Sequence, residues 1–162
     1  MKLILSKIVL IALFFLSTNH TNASPLSTIT INNTQFIIEI AKTAQQRKKG
    51  LMFRKQLPIT HGMLFVFSKN RYIPIWMKNT YIPLDILWIN KKLKITHIES
   101  HTTPLSEKII YPQKKAKYIL EINAGLCEKY NIKVGSRCKL SFQTNKTIKN
   151  IKTKKKRPKN HL

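Results

Sequence analysis

Residues 76–89 have the sequence WMKNTYIPLDILWI, which predicts a polar turn followed directly by a buried strand. The turn is formed by residues 78–80, and Pro83 introduces an apolar run over residues 84–89. Asp85 lies inside this run and is the only aspartate in the chain. An unpartnered buried carboxylate is costly, so Asp85 must be hydrogen-bonded or paired. The segment is therefore either a structural turn that Asp85 holds or the floor of a binding site.

The preceding part of the chain predicts a hairpin and a short helix. Two apolar runs, 29–31 and 36–41, are separated by Asn32-Asn33, a pair that suits a hairpin turn. Thr43 is a candidate N-cap, and Gln46 three residues later completes a capping box. The helix is expected over 44–49 and should end at Gly50.

Short apolar segments separated by turn residues continue to the end of the domain. Further strands are expected at Met63–Phe67, Leu84–Ile89, Leu93–Ile98, Tyr118–Ile122 and Arg137–Phe142, with a helical turn or two at Ala124–Tyr130. A polar turn is expected at Ser68–Arg71, and residues 73–77 continue from it to the turn at 78–80. This pattern predicts a mainly β protein: a small antiparallel β-sandwich or barrel, jelly-roll-like, with two short helices.

Four motifs carry a resemblance to a known family. They are RKKGLMFR at 47–54, GMLFVF at 62–67, WMKNTYIPLD at 76–85 and LEINAG at 120–125. In their order and spacing, from about Phe36 to Leu140, the chain resembles the bacterial family called domain of unknown function 192. The resemblance implies a small, mostly antiparallel β fold of the sandwich or jelly-roll kind that is often exported. It implies no established activity.

The two ends of the chain differ in composition from the part between them. Lys2 and Lys7 precede an apolar run over residues 8–16, and a segment of small residues that suits signal-peptide cleavage ends at Ala23. The run is much shorter than the ~20 residues of a spanning helix. It is therefore interpreted as a signal peptide, residues 1–23, with cleavage near Ala23 and export to the periplasm or beyond. Residues 24–142 are expected to form one β domain, and residues 143–162 a disordered basic tail.

The charge balance is strongly basic, with 30 basic and 6 acidic residues. Twenty basic residues lie between 26 and 140, and eight lie in the tail. Such a surface attracts polyanions and anionic lipids without specificity, and the tail is the expected contact. The chain is rich in Ile, Lys and Asn throughout, so compositional bias explains most of the charge. We therefore predict no dedicated nucleic-acid binding, and we expect a monomer.

The two cysteines, Cys127 and Cys138, leave two alternatives open. An even number of cysteines in an exported chain favours a disulfide between them. The other alternative is a pair of buried free thiols.

Polar residues near the family motifs define a candidate ligand pocket. These are Arg47, Arg54, Trp76, Lys78, Asn79, Thr80, Asp85 and Glu121. In one interpretation Asp85 or Glu121 binds an arginine and holds the small helix against the sheet. In the other, the basic and amide groups hold a small anionic or sugar-like ligand.

No recognised catalytic motif supports a reaction class. His97, Glu99 and His101 form a sparse pattern that is more typical of exposed residues than of a metal site, so neither a metal nor a cofactor is predicted. The most economical hypothesis is an uncharacterised exported binding or accessory module of the cell envelope. The alternative is a hydrolase acting on an envelope polymer or saccharide through Asp85 and Glu121, which requires the two carboxyl groups to be within roughly 5–10 Å.

Overall fold

Seven strands and two short helices form the part of the chain that the structure, a computed structural model, describes: residues 26–142. The elements are β1 (Thr28–Ile31), β2 (Thr34–Ala41), α1 (Ala44–Lys49), β3 (His61–Arg71), β4 (Leu84–Ile89), β5 (Ile95–Glu99), β6 (Ala116–Asn123), α2 (Leu126–Lys129) and β7 (Cys138–Ser141). The predicted signal peptide and the predicted tail lie outside the described residues. Neither α1 nor α2 is long and apolar enough to cross a membrane.

All seven strands belong to one sheet in the order β5-β4-β6-β3-β2-β1-β7. Neighbouring strands are antiparallel except β2 and β3, which are parallel because α1 and the segment after it return the chain to the same end of the sheet. The edges meet where Ile95 N–H donates to Ser136 O at 3.0 Å and Cys138 N–H donates to Leu93 O at 2.8 Å. The prediction of a mainly β fold is confirmed, in the form of a mixed sheet curled into a half-barrel.

Each face of the curled sheet carries its own apolar cluster. The inner cluster takes side chains from every strand and includes Leu87 and Ile89 of β4. The outer cluster includes Ile86 and Trp88 of the same strand, because successive side chains of a strand point to opposite faces. Irregular segments within residues 50–57 and 73–82 cover the outer cluster with Leu51, Leu57, Ile73, Met77 and Ile82. The cover creates the space in which a site can form.

The predicted hairpin and helix are both present. Asn32 and Asn33 turn the chain with φ of 46° and 65°, values that asparagine tolerates better than most residues. The Thr43 hydroxyl accepts from Gln46 N–H at 3.1 Å, and the Gln46 side chain accepts from Thr43 N–H at 2.9 Å. The capping box is thus confirmed, and α1 ends at Gly50 with φ of 48°.

The chain that leads to the turn at 78–80 departs from the prediction at one point, the polar turn expected at Ser68–Arg71. The segment 73–77 is not a strand, since only Ile75 forms an isolated bridge, to Ile110. Pro74 has no N–H to donate to a neighbouring strand. The carbonyl oxygen of Ile73 accepts from the Trp88 indole N–H at 2.8 Å, so it does not pair with a strand. In contrast, β3 continues to Arg71 through residues expected to form a turn.

Asp85 joins three parts of the molecule from a fully buried position. Its Oδ1 accepts from His101 N–H at 3.0 Å, and its Oδ2 accepts from Cys127 N–H at 2.8 Å. One bond holds the segment after β5, and the other holds the first turn of α2. Asp85 is therefore bound to backbone groups, and the hypothesis that it binds an arginine was wrong.

We predict that Asp85→Asn lowers the free energy of unfolding by about 1–3 kcal/mol, because the amide NH₂ group faces a backbone donor and leaves one of the two N–H groups unpaired. Urea titration followed by circular dichroism measures this loss. Glu107→Gln is the control, since it removes an exposed acid and should change stability by less than about 1 kcal/mol. Equal stability of the two variants would contradict a structural role for Asp85.

Candidate functional site

A cavity of about 560 Å³ lies on the outer face of the sheet, beneath α1 and the segment 71–76. Its walls are apolar, from Leu51, Phe65, Phe67 and Ile73, and its mouth is basic and aromatic. Four residues of the predicted ligand pocket line this cavity: Arg47, Trp76, Thr80 and Glu121. The structure therefore brings four of the eight predicted residues to one cavity.

Glu121 lies at the floor of this cavity. It occupies the middle of β6, in register with Met63 of β3 and Ile86 of β4, so apolar neighbours flank it on both sides. The residue is only 6 % exposed. Within residues 26–142 its carboxyl group has no hydrogen-bond or ion-pair partner. An unpartnered buried acid in a cavity is a group that a ligand can satisfy.

Burial raises the pKa of Glu121 from the usual 4.5 to about 8. The cause is removal of the carboxylate from water, which penalises the charged form. The carboxyl group is thus mostly protonated at neutral pH, and a protonated carboxyl group donates one hydrogen bond and accepts others.

Two guanidinium groups stand at the mouth of the cavity without an acidic partner among the described residues. The Arg47 and Arg71 guanidinium carbons lie 4.8 and 5.2 Å from the centroid of the Phe67 ring. Arg47 Nη1 also donates to the backbone oxygens of Lys42 and Val66, which fixes its position. The ring holds both cations by cation–π contact, and an anion would relieve their mutual repulsion.

Aromatic and hydroxyl groups complete the cavity. Trp76 and Tyr72 are 45 % and 58 % exposed at the rim, and the ammonium groups of Lys78 and Lys115 lie 5.3 and 5.9 Å from their ring centroids. Thr80 is buried, and its hydroxyl donates to Lys78 O at 3.3 Å. Exposed rings beside a polar floor suit a ligand with one flat apolar side and several polar groups.

Three other predicted residues do not line the cavity. Arg54 binds Glu39 through two contacts of 2.5 and 2.6 Å, and this hydrogen bonding lowers the pKa of Glu39. Lys78 contacts Glu107 at 3.2 Å. Asn79 adopts φ of 56° in the turn, and its carbonyl accepts from Phe53 N–H at 2.8 Å. The arginine that binds an acid is therefore Arg54, and its partner is neither Asp85 nor Glu121.

The two buried acids lie on opposite faces of the sheet. Asp85 is in register with Ile122, and Glu121 is in register with Ile86, so the acids are offset by one residue on adjacent strands. A one-residue offset reverses the face to which a side chain points. Both oxygens of Asp85 are also occupied by backbone N–H groups. This geometry contradicts a hydrolase that uses the two carboxyl groups as a pair.

Cys127 and Cys138 are free thiols and both are buried, which corresponds to the second of the two alternatives. Burial, reinforced by the Asp85 carboxylate, raises the pKa of Cys127 well above its usual range. Burial alone raises the pKa of Cys138 to about 12. Neither thiol is a thiolate at neutral pH, so neither has the reactivity of a nucleophilic cysteine.

His97, Glu99 and His101 line a second cavity of about 380 Å³. His97 packs edge-on against Trp88, with ring centroids 5.0 Å apart, and its Nε2 lies 4.0 Å from Glu99 Oε2 without a hydrogen bond. Among residues 26–142, no group of three or more His, Cys, Asp or Glu side chains could hold a metal ion.

Sequence reasoning missed Arg71, Tyr72 and the role of Phe67. Arg71 was assigned to a polar turn over Ser68–Arg71, whereas β3 continues to Arg71 and carries it alongside Phe67. The alternation of Phe65 and Phe67 was a signal for this, because side chains two residues apart on a strand point to the same face, and Arg71 continues that series. The pattern did not indicate on which face of the sheet residues 50–57 and 73–82 would pack.

Comparison with known proteins agrees with the fold and the motifs. A crystal structure of a candidate transcription regulator from Sinorhizobium meliloti 1021 is similar, with 35 % identity, a TM-score of 0.68, and coverage of 72 % of this chain and 94 % of the other. A protein of unknown function from Novosphingobium aromaticivorans DSM 12444 is also similar, with 32 % identity, a TM-score of 0.66, and coverage of 69 % and 83 %. No curated protein matches the chain. The model of the domain of unknown function 192 family, described as an uncharacterized ACR, matches residues 27–140, and the chain belongs to this family.

Proposed function

We propose that this chain is an exported binding module of the cell envelope whose cavity holds a small molecule with hydroxyl groups and an anionic group. The observation that carries the proposal is the Glu121 carboxyl group, which is buried at the cavity floor without a partner. Its oxygens are open to the cavity and not enclosed, since His97 Nε2 is the one fully enclosed side-chain polar atom without a hydrogen bond among residues 26–142. A ligand in the cavity can therefore bond to Glu121.

The ligand class follows from the three layers of the cavity. A protonated Glu121 donates to a hydroxyl or carbonyl oxygen of the ligand. The exposed ring of Trp76 provides a flat apolar surface of the kind on which sugar rings stack. Arg47 and Arg71 have no acidic partner and attract a carboxylate or phosphate. An acidic sugar or a sugar phosphate combines these features.

Export is supported by the sequence of the first 23 residues, which has the charge, apolar run and small-residue exit of a signal peptide. The module would then meet its ligand outside the cytoplasm. The name of the Sinorhizobium protein is not carried over to this chain, whose helices within residues 26–142 are short: α1 has six residues and α2 has four. Helices of this length provide little surface for reading the major groove.

Glucuronate and glucose 6-phosphate are expected to raise the melting temperature of the protein, and unsubstituted glucose is expected to raise it less, since it lacks the anionic group. Arg71→Gln should weaken binding of the anionic sugars by about tenfold or more, because a charge-assisted contact is lost. Arg137→Gln is the matched control: it removes the same charge from an exposed position outside the cavity. Isothermal titration calorimetry measures both variants. Failure of both sugars to bind, or equal losses in the two variants, would contradict the proposal.

The protonation of Glu121 should appear in the pH dependence of stability. Between pH 4.5 and about 8 the unfolded chain loses a proton that the folded chain keeps, so the stability of the wild type falls as pH rises through this window. Glu121→Gln cannot ionise and lacks this contribution. The variant should therefore gain stability relative to the wild type from pH 5 to pH 8, as measured by urea titrations at each pH. A constant difference across the window would show that Glu121 has an ordinary pKa.

The tail provides a second, non-specific contact with polyanions or anionic lipid. Residues 143–162 hold eight basic residues and no acid. We expect the chain ending at residue 142 to keep the wild-type melting temperature and to elute from heparin at a lower salt concentration, because screened charge–charge attraction supplies this binding. Elution of both chains at the same salt concentration would contradict a role for the tail.

A further inference from the structure

Three large apolar side chains project from neighbouring turns beside the cavity. Phe53, Tyr81 and Leu105 are 58 %, 46 % and 56 % exposed, and we call these three residues the apolar tip. The Phe53 and Tyr81 rings are in edge contact, with centroids 6.2 Å apart. Backbone bonds join the turns: Phe53 N–H donates to Asn79 O at 2.8 Å, and Leu105 N–H donates to Thr80 O at 3.0 Å. The tip is therefore a fixed feature that separate parts of the chain build together.

The backbone of the tip has an unusual conformation. Phe53 and Leu105 have φ of 66° and 62°, in the left-handed region where glycine and asparagine are expected. A bulky residue at such a position is an outlier, and outliers of this kind collect where the side chain has a task. Glycine at either position would form the same turn with less strain. Leu93 has a comparable φ of 55° and packs against the inner cluster, whereas the side chains of Phe53 and Leu105 are exposed.

The charge around the tip indicates what it contacts. Basic residues follow it closely in the chain, among them Lys55 and Lys108, which have no acidic partner within the described residues. The nearby acids Glu39 and Glu107 are each bound to a basic side chain. Two exposed lysines without an acidic partner therefore lie within three residues of Phe53 and Leu105 along the chain. The counterpart of exposed apolar side chains with such lysines is a surface with negative charge outside and apolar material beneath.

From these contacts we propose that the apolar tip inserts into the interface of an anionic lipid membrane. A specific protein interface covers about 800 Å² on each partner, far more than three side chains provide. A lipid interface needs only a few inserted apolar groups together with diffuse basic charge. Aromatic side chains with a polar end, such as Tyr81, are typical of this boundary. The proposal is independent of the ligand in the cavity.

The test compares chains of residues 24–162, which contain every described strand and helix. The variant carries Phe53→Gly, Tyr81→Ser and Leu105→Gly, in which the two glycines suit the observed φ values. Val134→Ser is the control, since Val134 is an exposed apolar residue at another turn. Binding is measured by flotation with vesicles of phosphatidylglycerol and phosphatidylcholine in equal parts, and with vesicles of phosphatidylcholine alone. Circular dichroism checks that each chain is folded, and Phe53→Gly alone replaces the triple variant if that chain unfolds.

We expect the wild type and Val134→Ser to bind the anionic vesicles and the triple variant to bind at least about tenfold more weakly. All chains keep the basic tail, so equal binding of wild type and triple variant would mean that charge alone is responsible, and would overturn the proposal. Equal binding of the wild type to both kinds of vesicle would overturn it as well. Absence of lipid binding, with a wild-type dimer in sedimentation velocity that the triple variant does not form, would assign the tip to a second copy of the chain.

Discussion

The register between β4 and β6 is the constraint on which the rest of the structure depends. It sets Asp85 opposite Ile122 and Glu121 opposite Ile86, and so sends the two acids to different faces of one sheet. The inner acid meets backbone N–H groups from the segment after β5 and from α2. The outer acid meets apolar side chains and a cavity. A one-residue slip of β4 against β6 would turn Asp85 to the outer face, where it would lose both of its backbone hydrogen bonds.

The two acids differ in whether protein groups satisfy them. Asp85 makes hydrogen bonds that offset its burial, which is the usual condition of a buried polar group. Glu121 makes none, and its raised pKa records that cost. The apolar tip shows the same tendency in the backbone, since a left-handed conformation costs a bulky residue about 1–2 kcal/mol. The same two costs occur elsewhere among the described residues, since Leu93 beside the inner cluster has φ of 55° and His97 Nε2 is buried without a hydrogen bond.

Sequence reasoning succeeded where the determining interactions are local. The capping box of α1 and the turn at Asn32-Asn33 depend on residues within a few positions of one another. Alternation along β4 correctly assigned Asp85 to the face of Leu87 and Ile89. The partners of Asp85 were not predictable, because they come from residues 16 and 42 positions further along the chain. The pairing of β4 with β6 is equally distant in sequence, so the separation of the two acids required the structure.

The cavity and the apolar tip are built from consecutive residues. Met52 and Thr80 line the cavity, and the residues that follow them, Phe53 and Tyr81, project to the surface. The bond from Phe53 N–H to Asn79 O ties the two segments together, so neither can move alone without losing it. The motif at 76–85 is thus constrained by the cavity and by the exposed surface, and a substitution that the cavity tolerates can still disrupt the apolar tip.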